Sequence, residues 1–169
     1  IQIPDRFFRE ECASLGIKLP EVGFYAAGMV FLPQAEAARR ACEQAIERCA
    51  AAEGQTVLGW RDLPVDNSVL SDEVREIEPF VRQIFIGRGD NCPDVDTFER
   101  KLFVMRKQSH ITVREKSLAG PEAFYIPTLS SRTICYKGMM LATHVDGYFT
   151  DLKDPRIDRK STRLNSSHT

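Results

Sequence analysis

VGFYAAGMVFL, residues Val22 to Leu32, is the stretch from which the fold of this 169-residue chain is inferred. The run is almost continuously apolar, the pattern of a strand buried on both faces of a sheet. TVLGW (56–60) and FVRQIFIG (80–87) predict two further strands. Helical patterns are interspersed with these strands along the chain. The sequence therefore predicts a mixed fold of the α+β class.

Two long helices are predicted from apolar residues at helical spacing. The first follows Pro33 and ends at Gly54, a residue type that commonly terminates helices; its apolar face carries Ala41, Cys42, Ala45, Ile46 and Cys49. The second runs from Asp94 to about Lys116, with Phe98, Leu102 and Met105 on one face. Both patterns are typical of helices that pack one side on a core.

The remaining segments predict shorter elements. Ser71 is a good helix N-cap, so a short helix is expected between it and Pro79, and residues 141–149 predict another. AFYIPTLSSRTICYKGMM (123–140) predicts a strand, a polar turn at its two adjacent serines, and a second strand. The first residues are predicted to lie in a strand-like element. The chain begins with Ile1, which we interpret as the start of a piece of a longer polypeptide.

The charge balance excludes several classes of partner. Lys and Arg total 23 against 24 Asp and Glu, giving a net charge of −1, so there is no electrostatic reason to expect nucleic acid or a membrane surface. No apolar run approaches the roughly 20 residues that span a bilayer, and no basic-then-apolar leader opens the sequence. Five cysteines without a C-x-x-C pair favour reduced thiols in the cytoplasm over a disulfide framework or zinc site.

Cys135 is the first candidate for chemistry. In the predicted strand RTICYKG it shares a side with Lys137, and His110 or His144 could approach it in space. A nucleophilic thiol needs such an electropositive, partly exposed setting. Free cysteines are among the most buried residue types, so a structural cysteine on a buried strand is the preferred interpretation. A hydrolytic site of Cys135, Lys137 and His144 is kept as an alternative.

Other candidate residues also favour structural interpretations. Cys42 and Cys49 lack accompanying metal ligands at suitable spacing, and each histidine is isolated. GRGDNC (87–92) lacks the third glycine of a dinucleotide-binding loop and is interpreted as a turn. GWRDLPVDNSVL (59–70) leaves a strand and could line a site. Asp and Asn side chains that bond their own backbone explain that loop as well.

GWRDLPVDNSVL resembles a stretch typical of the class II glutamine amidotransferase domain of the glutamate synthase large subunit. Six further segments resemble that family in the same order, over nearly all of residues 1–157. They are QIPDRFF (2–8), GMVFLP (28–33), EPFVRQIFIGRG (78–89), FERKLFVMRK (98–107), FYIPTLSSRTICYKGMML (124–141) and YFTDLKDPRI (148–157). Seven segments in order make the resemblance specific.

The resemblance implies an N-terminal-nucleophile hydrolase fold, an αββα sandwich that hydrolyses L-glutamine to L-glutamate and ammonia. It implies that the ammonia combines with 2-oxoglutarate in a distant half of the intact enzyme. That half uses FMN, an iron–sulfur cluster and electrons from NADPH, through a small electron-transfer subunit, or from ferredoxin. None of the segments above belongs to that half, so no cofactor is expected in this chain.

The family's nucleophile is an N-terminal cysteine whose α-amino group serves as base. The resemblance places it upstream of Ile1, so Cys135 is not that nucleophile and no catalytic or metal-binding residue is assigned here. The family's first strands, and its later H-Q-R-F-S-T-N-T and H-N-G-E type segments, are not found in the sequence. We therefore expect a partial αββα fold and an inactive fragment.

The sequence divides at residue 157. Residues 1–157 are predicted to be the internal part of the amidotransferase domain. Residues 158–169 do not resemble the family, and STRLNSSH (161–168) is interpreted as a translated sequencing adapter. A genuine disordered polar tail is the alternative.

Two functions are considered for the chain. The first is an inactive piece of an active glutamate synthase of the cytoplasm. The alternative is a non-catalytic binding module that keeps the middle of the fold, which requires residues 1–157 to fold alone.

Overall fold

A computed structural model describes residues 1–120, 123–138 and 140–157. In these residues a four-stranded antiparallel sheet has the order β2-β3-β1-β4. The strands are Tyr25–Leu32 (β1), Thr56–Asp62 (β2), Phe80–Gly87 (β3) and Tyr125–Ser130 (β4). β1 pairs with β3 over its whole length, from Tyr25 opposite Gly87 to Leu32 opposite Phe80.

Helices and short turns connect the strands. The α-helices are Asp5–Ser14 (α1), Glu36–Ala52 (α2), Asp72–Glu76 (α3), Val95–Glu115 (α4) and Val145–Tyr148 (α5). Short 3₁₀ turns cover Asn67–Val69, Ala142–His144 and Thr150–Lys153. None of the described helices is both long and apolar enough to cross a bilayer.

The sheet is buried on both faces, as the apolar run from Val22 to Leu32 predicted. Successive strand residues point to opposite faces, and Ala26 and Val30 join one core with α2 and α4. Tyr25 and Ala27 join a second core with Phe7 and Phe8 of α1. A third cluster, around Met29, lies against α5. α2 and α4 thus cover one face of the sheet, and α1 with α5 covers the other.

The two long helices are confirmed, together with the predicted residue at the C-terminus of α2 and the one at the N-terminus of α4. Gly54 has a φ of +72°, and it follows α2 in the hydrogen-bond pattern of a Schellman motif. The Gln55 N–H donates to Ala50 at 2.9 Å, and the Gly54 N–H donates to Ala51 at 3.0 Å. At the start of α4 the Asp94 carboxylate accepts the Thr97 N–H at 2.7 Å. The predicted short helix after Ser71 is α3, and the one predicted over residues 141–149 is a 3₁₀ turn followed by α5.

The expected strand at the beginning of the chain is wrong apart from one isolated bridge between Gln2 and Thr133. The helix α1 begins three residues later, at Asp5. Asp5 favours this helix because its carboxylate accepts hydrogen bonds from Arg9 one turn on, at 2.9 Å, and from the Tyr25 hydroxyl, at 2.8 Å. The buried residues of α1 are Phe7, Phe8 and Cys12, a stripe too short to stand out in the sequence.

The predicted second strand after Ser131 is also wrong. Beyond the bridge at Thr133, residues 134–138 are irregular. Ile134 points into the second core and is 1% exposed, and Tyr136 is half-buried, whereas Cys135 between them is exposed. Alternating side-chain directions therefore place Cys135 in solvent, and the buried position preferred from the sequence is corrected.

The described residues are of the α+β class, with a single sheet between two covering layers. The second sheet of an αββα sandwich is not among the described residues and stays an expectation from the resemblance. The domain boundary at residue 157 also stays a prediction, since residues 158–169 lie outside the described part of the chain.

Candidate functional site

Arg61 is the centre of a buried polar network on the second face of the sheet. It belongs to the edge strand β2, yet only 6% of the residue is exposed. Its guanidinium donates two hydrogen bonds to the Asp151 carboxylate, at 2.7 and 2.8 Å. Paired N–H groups that match both carboxylate oxygens make a strong, directional contact. Asp151 is itself 5% exposed, so both charges are withdrawn from water.

Three more side chains complete this network. Arg61 donates to the side-chain amide oxygen of Gln83 at 2.9 Å and to Glu11 at 3.3 Å. The Tyr136 hydroxyl donates to Asp151 at 2.9 Å and accepts from the Gln83 amide at 3.0 Å. Burial, followed by the nearby Asp151 carboxylate, raises the pKa of Tyr136, which keeps its hydroxyl a donor. The network joins α1, two strands, the irregular segment after β4 and the final 3₁₀ turn.

Arg156 is the centre of a second group of charged side chains, near the end of the described residues. It donates to Glu11 at 2.9 Å and to the Asp154 carboxylate at 2.8 and 2.6 Å. The Arg156 guanidinium lowers the pKa of Asp154 to about 2. Arg61 and Arg156 also lie over the ring of Phe7, at 5.3 and 4.8 Å from its centre. Glu11 and Phe7 of α1 therefore link the two arginines.

A cleft of about 380 Å³ opens beside Arg61, at the free edge of β2. Arg82 on its wall contacts Glu43 at 2.7 Å and Asp62 at 2.6 Å. The other lining residues are Glu11, Ser14, Leu15, Trp60 and Pro64. This lining contains neither cysteine nor histidine and therefore lacks the usual nucleophile–base pair. The charged groups of the cleft are engaged with one another, which is typical of a structural arrangement.

Two of the buried cysteines occupy settings that do not activate a thiol. Burial raises the pKa of Cys12 to about 12 and that of Cys42 to about 11. Cys92 is buried beside Gln55, and Cys49 is partly exposed. All five cysteines are free thiols. Within the described residues, no three His, Cys, Asp or Glu side chains are grouped to hold a metal ion.

The alternative hydrolytic site of Cys135, Lys137 and His144 receives no support from the described contacts. Cys135 is exposed, and none of the hydrogen bonds described joins it to either partner. The Lys137 ammonium lies over the Tyr125 ring, 5.3 Å from its centre. His110 is a satisfied histidine, as expected, because its Nε2 accepts the Ile126 N–H at 3.3 Å.

The two loop motifs, GRGDNC and GWRDLPVDNSVL, form structural turns. In GRGDNC the Cys92 N–H donates to the Gly89 carbonyl at 3.0 Å, which closes a turn. A Cβ on Gly89 would lie 2.0 Å from the Gly54 oxygen, so only glycine fits there. Asp66 accepts the Ser68 N–H at 3.0 Å, the local bonding that was predicted for GWRDLPVDNSVL.

The sequence analysis did not identify Arg61 as the centre of a polar network. The signal that could have found it is a charged residue directly after a predicted strand.

The sequence of the chain matches one known family of proteins. The chain matches the class II glutamine amidotransferases over residues 1–166 and belongs to that family. It is 44% identical over 154 residues to the glutamate synthase [NADPH] large chain of Bacillus subtilis, which is 91% of this chain and 10% of that protein. The corresponding protein of Azospirillum brasilense is 31% identical over 161 residues, covering 94% of this chain and 10% of the relative.

The name of a further relative specifies a different electron donor, ferredoxin. Ferredoxin-dependent glutamate synthase 2 of Synechocystis is 33% identical over 153 residues, covering 90% of this chain and 9% of that protein. The chain thus spans about a tenth of the length of these curated relatives.

Proposed function

We propose that this chain is an internal segment of the glutaminase domain of a glutamate synthase large chain. In that protein the domain hydrolyses L-glutamine to L-glutamate and ammonia. The observation that carries the proposal is the family match over residues 1–166, together with relatives of one function that align with at least nine-tenths of the chain.

The role proposed for the described residues is to build the scaffold of the domain. The buried β1 and β3 strands form its core, and Arg61 holds the final segment through Asp151. No catalytic residue is assigned among them. Burial raises the pKa values of Cys12 and Cys42, which supports a nucleophile other than these two thiols.

The rest of the reaction is proposed for the longer protein. Ammonia would combine there with 2-oxoglutarate, in a half that uses FMN and an iron–sulfur cluster. The names of the relatives support NADPH or ferredoxin as the electron source, with a small electron-transfer subunit as a partner of the NADPH form. The described residues do not fit an iron–sulfur cluster, because no suitable group of ligands is present among them.

We also infer a cytoplasmic location. The five free thiols support a reducing compartment, where disulfides are rare.

The proposal is tested by measuring L-glutamate release from L-glutamine. The isolated 169-residue chain is expected to show no turnover, whereas the full-length large chain that contains residues 1–157 is expected to be active. In the full-length protein, Cys135→Ser should retain glutaminase activity, and the same change at Cys49 is a matched control. Turnover by the isolated chain would place the nucleophile within it.

Two other outcomes would change the assignment. An inactive full-length protein that still folds would contradict the glutaminase function. Binding of L-glutamine by the isolated chain without turnover would favour the alternative of a non-catalytic binding module.

A further inference from the structure

The strand β4 lies at one edge of the sheet, with β1 on its inner side. Backbone groups on the outer side of an edge strand usually face solvent and can pair with another strand. Here side chains of α4 bond to the backbone of β4, at a point where its pairing with β1 shifts register. His110 Nε2 accepts the Ile126 N–H at 3.3 Å, and Arg106 donates to the Pro127 carbonyl at 2.9 Å.

A third α4 side chain continues the same arrangement at the end of the strand. The Glu99 carboxylate accepts the Ser131 N–H and the Ser131 hydroxyl, each at 2.6 Å, and the Ser130 hydroxyl at 3.0 Å. Glu99, Arg106 and His110 are seven and four residues apart, so they share one face of the helix. One face of α4 therefore bonds to β4 and to the residue that follows it.

His110 differs from the other two because its capping role depends on its protonation state. The neutral ring carries one acceptor nitrogen, whereas both nitrogens of the imidazolium are donors. Only the neutral form can accept the Ile126 N–H. The Arg106 guanidinium carries only donors, whereas the Glu99 carboxyl group carries oxygens that accept.

The surroundings of His110 favour its neutral form. The ring is half-buried between Phe124 and Tyr125, with centres 5.4 and 5.6 Å away in edge-on contact. Burial lowers the pKa of His110, and the charges of Arg106 and Lys107 on α4 lower it further. From the segment after β4, the Lys137 ammonium lies over the neighbouring Tyr125 ring.

We propose that His110 is an acid-sensitive cap on the outer edge of β4. As the neutral ring it accepts the Ile126 N–H; as the imidazolium it releases that N–H and opens this part of the edge. The property is independent of glutamine chemistry, so its test requires no activity and does not depend on the proposed function.

The test is amide hydrogen exchange at Ile126, followed by NMR and corrected at each pH for the intrinsic exchange rate. The pH range is set by the titration of His110 itself, read from its imidazole proton shift. The corrected exchange rate of Ile126 is expected to rise about tenfold or more as His110 becomes protonated. Amides on the inner side of β4 should change little.

Two variants separate the cap from general acid destabilisation. The His110→Gln amide oxygen accepts a hydrogen bond at every pH, so Ile126 should stay protected throughout. His110→Phe has no acceptor, so Ile126 should exchange rapidly even at neutral pH. The proposal is overturned if the Ile126 rate does not follow the His110 titration. It is also overturned if His110→Phe leaves Ile126 protected, or if the chain unfolds before His110 titrates.

Discussion

At the scale of single residues, Arg61 shows how one side chain can join distant segments. Its two hydrogen bonds to Asp151 connect residues 90 positions apart in the chain. Burying two charges costs solvation free energy, which is recovered only when geometry and further hydrogen bonds are good. Gln83, Tyr136 and Glu11 supply those further bonds. The contact therefore specifies where the final segment docks on the sheet.

Arg61→Met is expected to destabilise the chain by about 3–5 kcal/mol, because it leaves the buried Asp151 carboxylate without its partner. Combining it with Asp151→Leu should restore a large part of that loss, since both buried charges are then removed. The measurement is the free energy of unfolding in urea. The exposed Arg6→Met change is the control and should have no measurable effect. Equal losses in Arg61→Met and the control would show that the network contributes nothing.

At the scale of elements, α4 makes several kinds of contact. Its apolar face packs on the sheet through Phe98, Leu102 and Met105, as the sequence predicted. Another face bonds to the backbone of β4 through Arg106 and His110. At its beginning Asp94 caps the first turn, where backbone N–H groups lack partners within the helix. Asp94 is exposed. We expect its contribution to stability to depend on the ionised carboxylate, which is the stronger acceptor for the Thr97 N–H.

Asp94→Ala is expected to lower the thermal unfolding temperature by a few degrees at neutral pH, because the Thr97 N–H loses its acceptor. That backbone bond holds the pKa of Asp94 in the folded chain below its ordinary value of 3.8. The stabilisation is therefore present above pH 3.8 and is lost as pH falls through the lower folded-state pKa. Thermal melts from pH 7 downward should show the variant and the parent chain converging. A difference that stays constant with pH would contradict capping by the ionised form.

At the scale of the whole molecule, the sheet lies between two hydrophobic cores and contributes residues to both. Ile84 and Phe85 are neighbours on β3, and both are fully buried, on opposite faces. Phe85 contacts Phe8 of α1 in an edge-on arrangement with ring centres 5.2 Å apart. This double burial explains why the strands read as continuous apolar runs instead of alternating patterns.

Ile84→Ala and Phe85→Ala are both expected to destabilise the chain, by about 2–5 and 3–5 kcal/mol respectively. The reason is that each leaves a cavity in a closely packed core. The measurement is again urea unfolding, with Ile77→Ala as the control because Ile77 is 80% exposed. A loss at only one of the two positions would mean that one face of the sheet is not a packed core.

Much of this architecture follows from local patterns in the sequence. The apolar run into β1, the periodic faces of α2 and α4, and Gly54 as a helix terminator depend on neighbouring residues only. Family membership was likewise inferred from seven ordered segments and is confirmed by the family match. These features were predictable because backbone geometry and hydrophobic periodicity act over a few residues.

Other features were decided by tertiary structure. The exposed position of Cys135 depends on Ile134 and Tyr136 turning into a core built from distant segments. The Arg61 network and the His110 cap join groups from separate elements. Their side-chain types are visible in the sequence, but their partners are set by how the sheet and helices pack. Local patterns therefore determined the elements and the family, and packing alone decided which polar groups are buried, paired or left in solvent.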